Sequence, residues 1–145
     1  MRELRPLLRS LYHSMAVGTV LYRRFAEREG VSYPDLAILY ALSDLGACTQ
    51  REIGTEYEMN KQTVNAAVRH LKDLGYVTLS TDEADKRRRV LRLTAAGEAY
   101  ARQFTDVLFA MEERAAMRLG EKNLVRAKTI LDDFNTLFAE ELNRL

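Results

Sequence analysis

Two groups of polar side chains in the middle of the chain carry hydrogen-bonding groups of the kind that can bond a nucleic acid. Gln62 and Asn65 have amides that can bond an adenine edge through two hydrogen bonds, and Lys61 and Arg69 can reach a guanine edge or a phosphate. The second group is the uninterrupted run of Lys and Arg at residues 86–89, which suits a phosphate backbone. These side chains therefore indicate base reading at one place and backbone contact at another.

Each group also has an ordinary explanation as solvated surface. A polar outer side is the default for any surface helix, and a short basic run is commonly surface charge alone. The distribution of charge favours the nucleic-acid interpretation, because residues 60–92 hold eight Lys and Arg against four Asp and Glu, a net charge of about +4. The whole chain has a net charge of only +1, so positive charge is concentrated where phosphate contact is expected.

Local signals place the first group on the second of two short helices. Thr49 and Glu52 have the T-x-x-E spacing of a capping box, which predicts the start of a helix that ends near Glu58. Asn60 is a favoured N-cap for the next helix, and Gly75 is a residue at which a helix readily stops. Apolar residues between them recur on one predicted buried stripe: Val64, Ala67, Val68, Leu71 and Leu74.

The second group falls on the tip of a predicted hairpin. Residues 76–79 and 89–93 alternate in the period of a β-strand, and residues 82–88 between them are polar except for Ala84. Two helices at a tight turn followed by a hairpin with a charged tip form the plan of a winged helix-turn-helix. The second helix suits a major groove and the hairpin tip suits a neighbouring groove.

Three motifs of this region resemble the MarR family of bacterial transcription regulators. The second helix opens with a small polar cap and then basic-x-Thr-Val, here residues 60–64. The passage from helix to strand has Leu, polar residues, Gly, an aromatic residue and Val, here residues 71–77. The wing signature Asp-x-Arg is found at residues 85–87 and is followed at a fixed distance by Leu-Thr at 93–94 and by Gly97. The length and the flanking helices also fit, so the resemblance covers nearly the whole chain.

The resemblance implies a mainly α fold with a small β-hairpin wing, in which a winged helix-turn-helix is flanked by N- and C-terminal dimerisation helices. It implies a dimeric, sequence-specific transcription regulator, a repressor responsive to a small molecule, that reads a palindromic operator in double-stranded DNA. The helix at residues 61–74 would lie in the major groove and the wing at residues 82–88 in the minor groove. Whether genes are repressed or activated depends on where the operator lies.

The resemblance also assigns roles to individual side chains. Arg87 matches the family's wing arginine and is expected in the minor groove, while Asp85 is expected to structure the wing by bonding backbone N–H groups or Arg87. Many relatives have a basic residue at Ala66 and an acidic one at Arg69, so the operator cannot be copied from a relative. The expected DNA contacts are Asn60, Lys61, Gln62, Thr63, Asn65, Ala66, Arg69, His70, Lys86, Arg87, Arg88 and Arg89.

In relatives, a small anionic or phenolic effector lies between the dimer helices and the DNA-binding lobe. By their positions on the predicted helices, the possible lining residues here are Tyr12, His13, Tyr22 and Tyr40. Each of these residue types is more often part of a core or a plain surface than a ligand contact, and the residues name no ligand.

The flanking segments predict long amphipathic helices. One runs over residues 5–28, another starts at Ser32 and ends at Gly46, a third follows Thr94, and the last begins near Glu121. The terminal helices carry more apolar surface than a winged helix can cover, so pairing with a second copy is expected. The alternative is that they pack only on their own domain. We therefore expect one domain over residues 1–145, with a winged-helix lobe at 32–94 and dimerisation regions at 1–30 and 95–145.

Composition excludes several other classes. No run of 18 apolar residues predicts a membrane span, and the N-terminal pattern lacks the apolar core of a secretory signal, so we expect a cytoplasmic protein without membrane association. One cysteine and two histidines, far apart in sequence, give no metal-ligand spacing, and no cofactor motif is present. Cys48 is interpreted as a small buried filler, with a redox sensor as the alternative.

Two other function classes were weighed against a DNA-binding regulator. Winged helices also serve as dimerising domains of methyltransferases, but no catalytic motif is present here, so an enzyme is not expected. A winged helix used only for protein contacts or dimerisation, without sequence-specific DNA binding, is the main alternative. Such a module has no need of the cationic run at residues 86–89.

Overall fold

The computed structural model describes residues 4–145. The described chain forms six helices and one two-stranded sheet, in the order α1 (Leu4–Glu29), α2 (Tyr33–Leu45), α3 (Gln50–Glu56), α4 (Lys61–Asp73), β1 (Val77–Thr81), β2 (Arg89–Leu93), α5 (Ala95–Leu119) and α6 (Glu121–Leu142). It divides between Thr105 and Asp106 into two compact units. None of the described helices is long and apolar enough to cross a membrane. The predicted fold class, a mainly helical winged helix with a small hairpin, is confirmed.

The two central helices begin at the predicted caps. Thr49 Oγ1 accepts from the Glu52 N–H at 3.1 Å while Glu52 Oε2 accepts from the Thr49 N–H at 2.7 Å, which completes the capping box of α3. Asn60 Oδ1 accepts from the Thr63 N–H at 2.8 Å and caps α4. Each cap satisfies backbone donors that a helix start otherwise leaves without a partner, so both helix starts are fixed by local chemistry. The predicted end of α3 at Glu58 was two residues too late.

The end of α4 is fixed by a glycine in the left-handed region. Gly75 has φ of 76°, its N–H donates to Lys72 O at 2.9 Å, and the Tyr76 N–H donates to Leu71 O at 2.9 Å. This pair of bonds is the Schellman arrangement, which leaves the chain directed away from the helix. One prediction was wrong here: Leu74 is 48% exposed and lies outside the buried stripe, because the chain is already leaving the helix at that residue.

The hairpin is antiparallel, and its register pairs Val77 with Leu93 and Thr81 with Arg89. β1 therefore begins and ends later than the predicted strand at residues 76–79, whereas β2 covers the predicted residues 89–93. The segment before α3 adds a single bridge to β2, because Leu91 N donates to Cys48 O at 2.8 Å. The wing is thus attached to the helical part through backbone hydrogen bonds at Cys48.

The core of the unit that ends at Thr105 is centred on α2. Leu36, Ile38 and Leu39 are at most 1% exposed, and α4 packs against α2 and α3 through its own buried stripe. The members of that stripe are Val64, Ala67, Val68 and Leu71. Since burying each large aliphatic side chain contributes about 1.5–3 kcal/mol, this stripe fixes which side of α4 faces outward.

A close contact joins the end of α4 to the start of α5. Thr94 Oγ1 accepts from the Gly97 N–H at 3.0 Å, as expected of a helix cap, and donates to Gly75 O at 2.7 Å. The Thr94 N–H also donates to Tyr76 O at 3.0 Å. A Cβ placed on Gly97 would lie 1.9 Å from Tyr76 O, so no larger residue fits here without backbone movement. The close approach of Tyr76 O therefore explains why glycine is needed at the last position of the Leu-Thr-x-x-Gly motif.

Apolar side chains remain exposed along the terminal helices. On α1 the exposed set includes Leu7, Met15, Val20 and Leu21. On α6 no residue is buried, and the exposed apolar set includes Leu124, Val125, Ile130, Leu137, Phe138 and Leu142. Apolar surface of this extent is typical of a face that another protein surface covers.

The contact at Gly97 makes a stability prediction. Gly97→Ala is expected to lower the free energy of unfolding by about 2 kcal/mol, because the added methyl group overlaps the Tyr76 backbone. Gly18→Ala is the matched control: it lies within α1 with no atom within 4 Å of the added Cβ, so a gain of about 0.5–1 kcal/mol is expected. Urea unfolding of both variants measures the two changes, and equal effects would contradict the steric argument.

Candidate nucleic-acid interface

The outward side of α4 presents the predicted recognition residues. Lys61, Gln62, Ala66 and Arg69 are exposed, and Thr63 and Asn65 are half-buried. Asn60, at the cap, is exposed, but its side-chain oxygen is engaged by the Thr63 N–H. The side chains with amides and cations thus lie on one continuous side of the helix, opposite its buried stripe.

His70 is placed differently from the other predicted contacts on α4. Its Nδ1 lies 2.9 Å from Asp35 Oδ2, and Asp35 is only 6% exposed, at the first turn of α2. A buried carboxylate needs a partner, and the imidazole supplies one. The contact ties the last turn of α4 to α2, while more than half of the His70 side chain stays exposed.

Short local hydrogen bonds shape the tip of the wing. Asp82 Oδ1 accepts from the Ala84 N–H at 2.9 Å, and Asp85 Oδ1 accepts from the Arg87 N–H at 3.0 Å. Backbone bonds from Arg88 N to Asp85 O and from Asp82 N to Arg88 O close the loop at 2.9 and 2.8 Å. Asp85 therefore forms the kind of backbone contact that was expected of a residue that structures the wing.

The four cations of the wing do not share one environment. Lys86, Arg87 and Arg89 are exposed. Arg88 is half-buried, and its guanidinium pairs with Glu52 of α3 and with Asp82, whose Oδ2 lies 3.3 Å from Nη1. Three of the four cations are therefore exposed to solvent, and one turns back onto the protein.

A cleft of about 680 Å³ lies between α3, α4 and the wing. Its walls bring Lys61 and Asn65 of α4 together with Arg89 of β2, and they add Arg51 of α3. Met59, Val64 and Leu79 contribute apolar surface to it. Sequence reasoning missed Arg51; its place in the first turn of α3 was a signal, but only the packing of α3 beside α4 brings it to the same cleft.

Two of the four predicted effector residues come together. The rings of Tyr22 and Tyr40 meet edge-on with centroids 6.1 Å apart, and Tyr40 meets Tyr57 in the same way at 6.4 Å. The pKa of Tyr57 is raised, mainly by burial and next by the neighbouring Tyr40. Tyr57 therefore stays protonated at neutral pH. Tyr12 and His13 lie about ten residues earlier on α1 and are exposed. Tyr57, missed from the sequence, joins the cluster because α3 ends beside α2.

Cys48 is buried and lies beside β2. Burial, followed by the neighbouring Glu52, raises the pKa of its thiol to about 11. A thiol that stays protonated at neutral pH is a poor nucleophile, which agrees with the interpretation as a core filler. Within residues 4–145, no group of three or more His, Cys, Asp and Glu side chains is arranged to hold a metal ion.

Comparison with known families identifies this arrangement. Residues 29–88, which hold α2, α3, α4 and most of the wing, match the sequence model of the MarR family. Over these residues the chain resembles the MarR family. Among curated proteins, no sequence matches this chain at a significant level.

Solved structures share the fold along most of the chain. NMB1585, a MarR family regulator from Neisseria meningitidis, is 25% identical and superposes with a TM-score of 0.80, over 95% of this chain and 97% of that one. NadR, solved in complex with 4-hydroxyphenylacetate, is 17% identical with a TM-score of 0.68, over 86% of this chain and 89% of that one. Overoxidized AbfR, solved bound to DNA, is 19% identical with a TM-score of 0.60, over 95% of this chain and 96% of that one. The MarR winged-helix fold therefore extends beyond residues 29–88.

Proposed function

We propose that this chain is a dimeric, sequence-specific DNA-binding repressor responsive to a small molecule. The observation that carries the proposal is the cleft at which Lys61 and Asn65 of α4 meet Arg89 of the wing. A recognition helix and a cationic hairpin that border one cleft are suited to contact adjacent grooves of the same duplex. AbfR, which shares the fold, was solved bound to DNA, which supports DNA as the partner in this proposal.

The proposed division of labour follows from side-chain chemistry. Gln62 and Asn65 read base edges in the major groove, with Lys61 and Arg69 on guanine or phosphate. Arg87, exposed at the wing tip, enters the minor groove, where a narrow A·T tract has an enhanced negative potential. Lys86 and Arg89 contact phosphate and supply affinity that depends on salt.

An effector site is proposed at the aromatic cluster of Tyr22, Tyr40 and Tyr57. These rings connect α1, α2 and the end of α3, so a molecule that displaced one of them would shift the helix that supports α4. NadR, which shares the fold, was solved with a phenolic acid. The proposal assigns to this chain an aromatic or phenolic small molecule as a class.

Selection of bound genomic fragments followed by footprinting at base resolution tests the proposed function. Two recognition helices related by a two-fold axis are expected to protect an imperfect palindrome whose half-site centres lie about 10–11 bp apart. A single asymmetric half-site protected at saturation would contradict the paired arrangement. Equal binding of all fragments would instead favour a protein-interaction module.

The roles of α4 and the wing are separable by two substitutions. Gln62→Ala is expected to weaken operator binding by about 1–3 kcal/mol and to leave binding to random duplex nearly unchanged, because a lost base contact costs only at the correct base. Arg87→Ala is expected to weaken both, with the larger loss on sites with A·T-rich flanks. Titrations on both duplexes at two salt concentrations measure this. If Gln62→Ala lowers both affinities equally, the groove assignment of α4 is wrong.

The exposed apolar surface of α6 predicts self-association at micromolar concentration. Phe138→Glu, in the middle of that surface, is expected to shift the protein from a dimer toward the 16.6 kDa monomer, because it puts a charge into the apolar contact. Thr136→Glu, on the opposite side of the helix, is the matched control and should remain dimeric. Sedimentation equilibrium measures both, and a wild-type chain that is monomeric at this concentration would contradict the proposed dimer.

A further inference from the structure

Arg88 is bonded within the protein at its side chain and at its backbone. One end of its guanidinium pairs with Glu52 Oε1 and the other lies 3.3 Å from Asp82 Oδ2. Its N–H donates to Asp85 O, and its carbonyl accepts from the Asp82 N–H. An arginine fork held by two carboxylates is fixed in direction, and its charge is already balanced within the protein. This engagement sets Arg88 apart from Arg87 and Arg89, which lie on either side of it and are exposed.

Glu52 joins this bridge to the start of α3. One of its carboxylate oxygens accepts from the Thr49 N–H in the capping box, and the other pairs with Arg88, 36 residues away in sequence. Because α3 packs against α4, a tie between α3 and the wing sets the position of the wing relative to α4. The bridge therefore joins two of the three elements that border the cleft, α3 and the wing.

Both carboxyl groups are ionised at neutral pH. Thr49, first through its backbone N–H and then through its side chain, and after it Arg88 hold the pKa of Glu52 below its usual range. The Ala84 backbone N–H, followed by Arg88, does the same for Asp82. The Arg88 side chain is 40% exposed and that of Glu52 is 51% exposed, so solvent screens the pair and its contribution to global stability is small.

We propose that Arg88 is a positioning residue and not a DNA contact. By bridging Glu52 and Asp82, it holds the wing at the distance from α4 at which Arg87 and the recognition helix engage adjacent grooves. The inference rests on the proposed function and refines it. Of the cations at residues 86–89, three then face the DNA in each protomer, and Arg88 is the internal clamp that holds the wing to α3.

Substitution of Glu52 distinguishes a phosphate contact at Arg88 from a positioning role, because the two predict opposite changes in operator affinity. Gln also satisfies a capping box, so Glu52→Gln keeps the start of α3 and removes the charge that holds Arg88. If Arg88 contacted phosphate, this change would free a cation, remove a carboxylate that DNA repels, and strengthen binding. If Arg88 is a positioning residue, Glu52→Gln loosens the wing and weakens operator binding.

The experiment compares Glu52→Gln, Arg88→Gln and the double variant with Arg89→Gln, the adjacent cation, as the matched control. Dissociation constants on operator and random duplex are measured across a range of salt concentrations, and thermal unfolding checks that each variant folds. Hydrogen–deuterium exchange at the wing amides of Ala84 and Arg87 reports local order without DNA.

Glu52→Gln and Arg88→Gln are expected to weaken operator binding by similar factors, roughly three- to tenfold, since a half-exposed pair contributes modestly. The double variant should be no weaker than Arg88→Gln alone, because both changes break the same bridge. Arg89→Gln should lower the log–log salt slope by about 0.9 per protomer, whereas Arg88→Gln should change it much less. Exchange at the two wing amides should rise in both bridge variants and stay unchanged in Arg89→Gln.

Tighter DNA binding by Glu52→Gln, or a salt slope that falls as far in Arg88→Gln as in Arg89→Gln, would overturn the positioning role and leave the proposed function intact. If the wild-type chain binds operator and random duplex equally, the proposed function fails. Hydrogen–deuterium exchange then tests, without DNA, whether Arg88 holds the wing in place. Wing amides that exchange at the same rate in the wild type and in both bridge variants would overturn that role.

Discussion

The burial of one side of α4 against α2 and α3 is the constraint on which the outward surface depends. Val64, Val68 and Leu71 are each at most 4% exposed, and successive residues in a helix differ by about 100° in direction. A rotation of α4 by one residue would bury Asn65 or Arg69 without a partner and expose an aliphatic side chain, at a cost of several kcal/mol. The identity of the side chains that face outward is therefore set by packing, and no DNA is needed to select it.

Caps at both ends of α4 prevent it from sliding along its axis. Asn60 fixes the first turn, and the Schellman arrangement at Gly75 leads into a junction at which Gly97 and Tyr76 are in direct backbone contact. Since a shift of one residue would break the cap and create a steric clash, the register of α4 is set as firmly as its rotation. The contact between His70 and the buried Asp35 adds a third tie, at the last turn.

Local sequence signals predicted what local chemistry determines. The capping box at Thr49, the cap at Asn60, the glycine at residue 75 and the extent of β2 all depend on residues within a few positions of one another, and all were found. The excess apolar surface of the terminal helices was also predicted from periodicity, and several of the side chains concerned, such as Leu7, Met15 and Phe138, are exposed in a single chain. Leu74 was misplaced because periodicity alone does not show where a helix stops.

The contacts that sequence reasoning missed join residues far apart in the chain. Arg88 and Glu52 are separated by 36 residues and His70 and Asp35 by 35, so no spacing rule relates them. The sequence of four adjacent cations does not show which one turns inward, because that depends on Glu52, which α3 contributes. The same holds for Tyr57, whose ring reaches Tyr40 only when α3 has packed beside α2.

The charge of the wing and the apolar surface of α6 are related through the free energy of binding to two half-sites. In the proposed function, a single lobe with two amides on α4 would read few base pairs, and each correct pair would contribute only about 1–3 kcal/mol of discrimination. Linking two such lobes makes the second binding event intramolecular, so the discrimination of both half-sites combines without any new base contact. That gain requires each lobe to present a fixed geometry, because ordering a mobile wing on binding costs entropy and lowers the affinity. In the proposed function, an internal clamp at Arg88 and a dimer surface on α6 would therefore serve the same end: the first would fix the distance between groove contacts within a lobe, and the second would provide the second lobe.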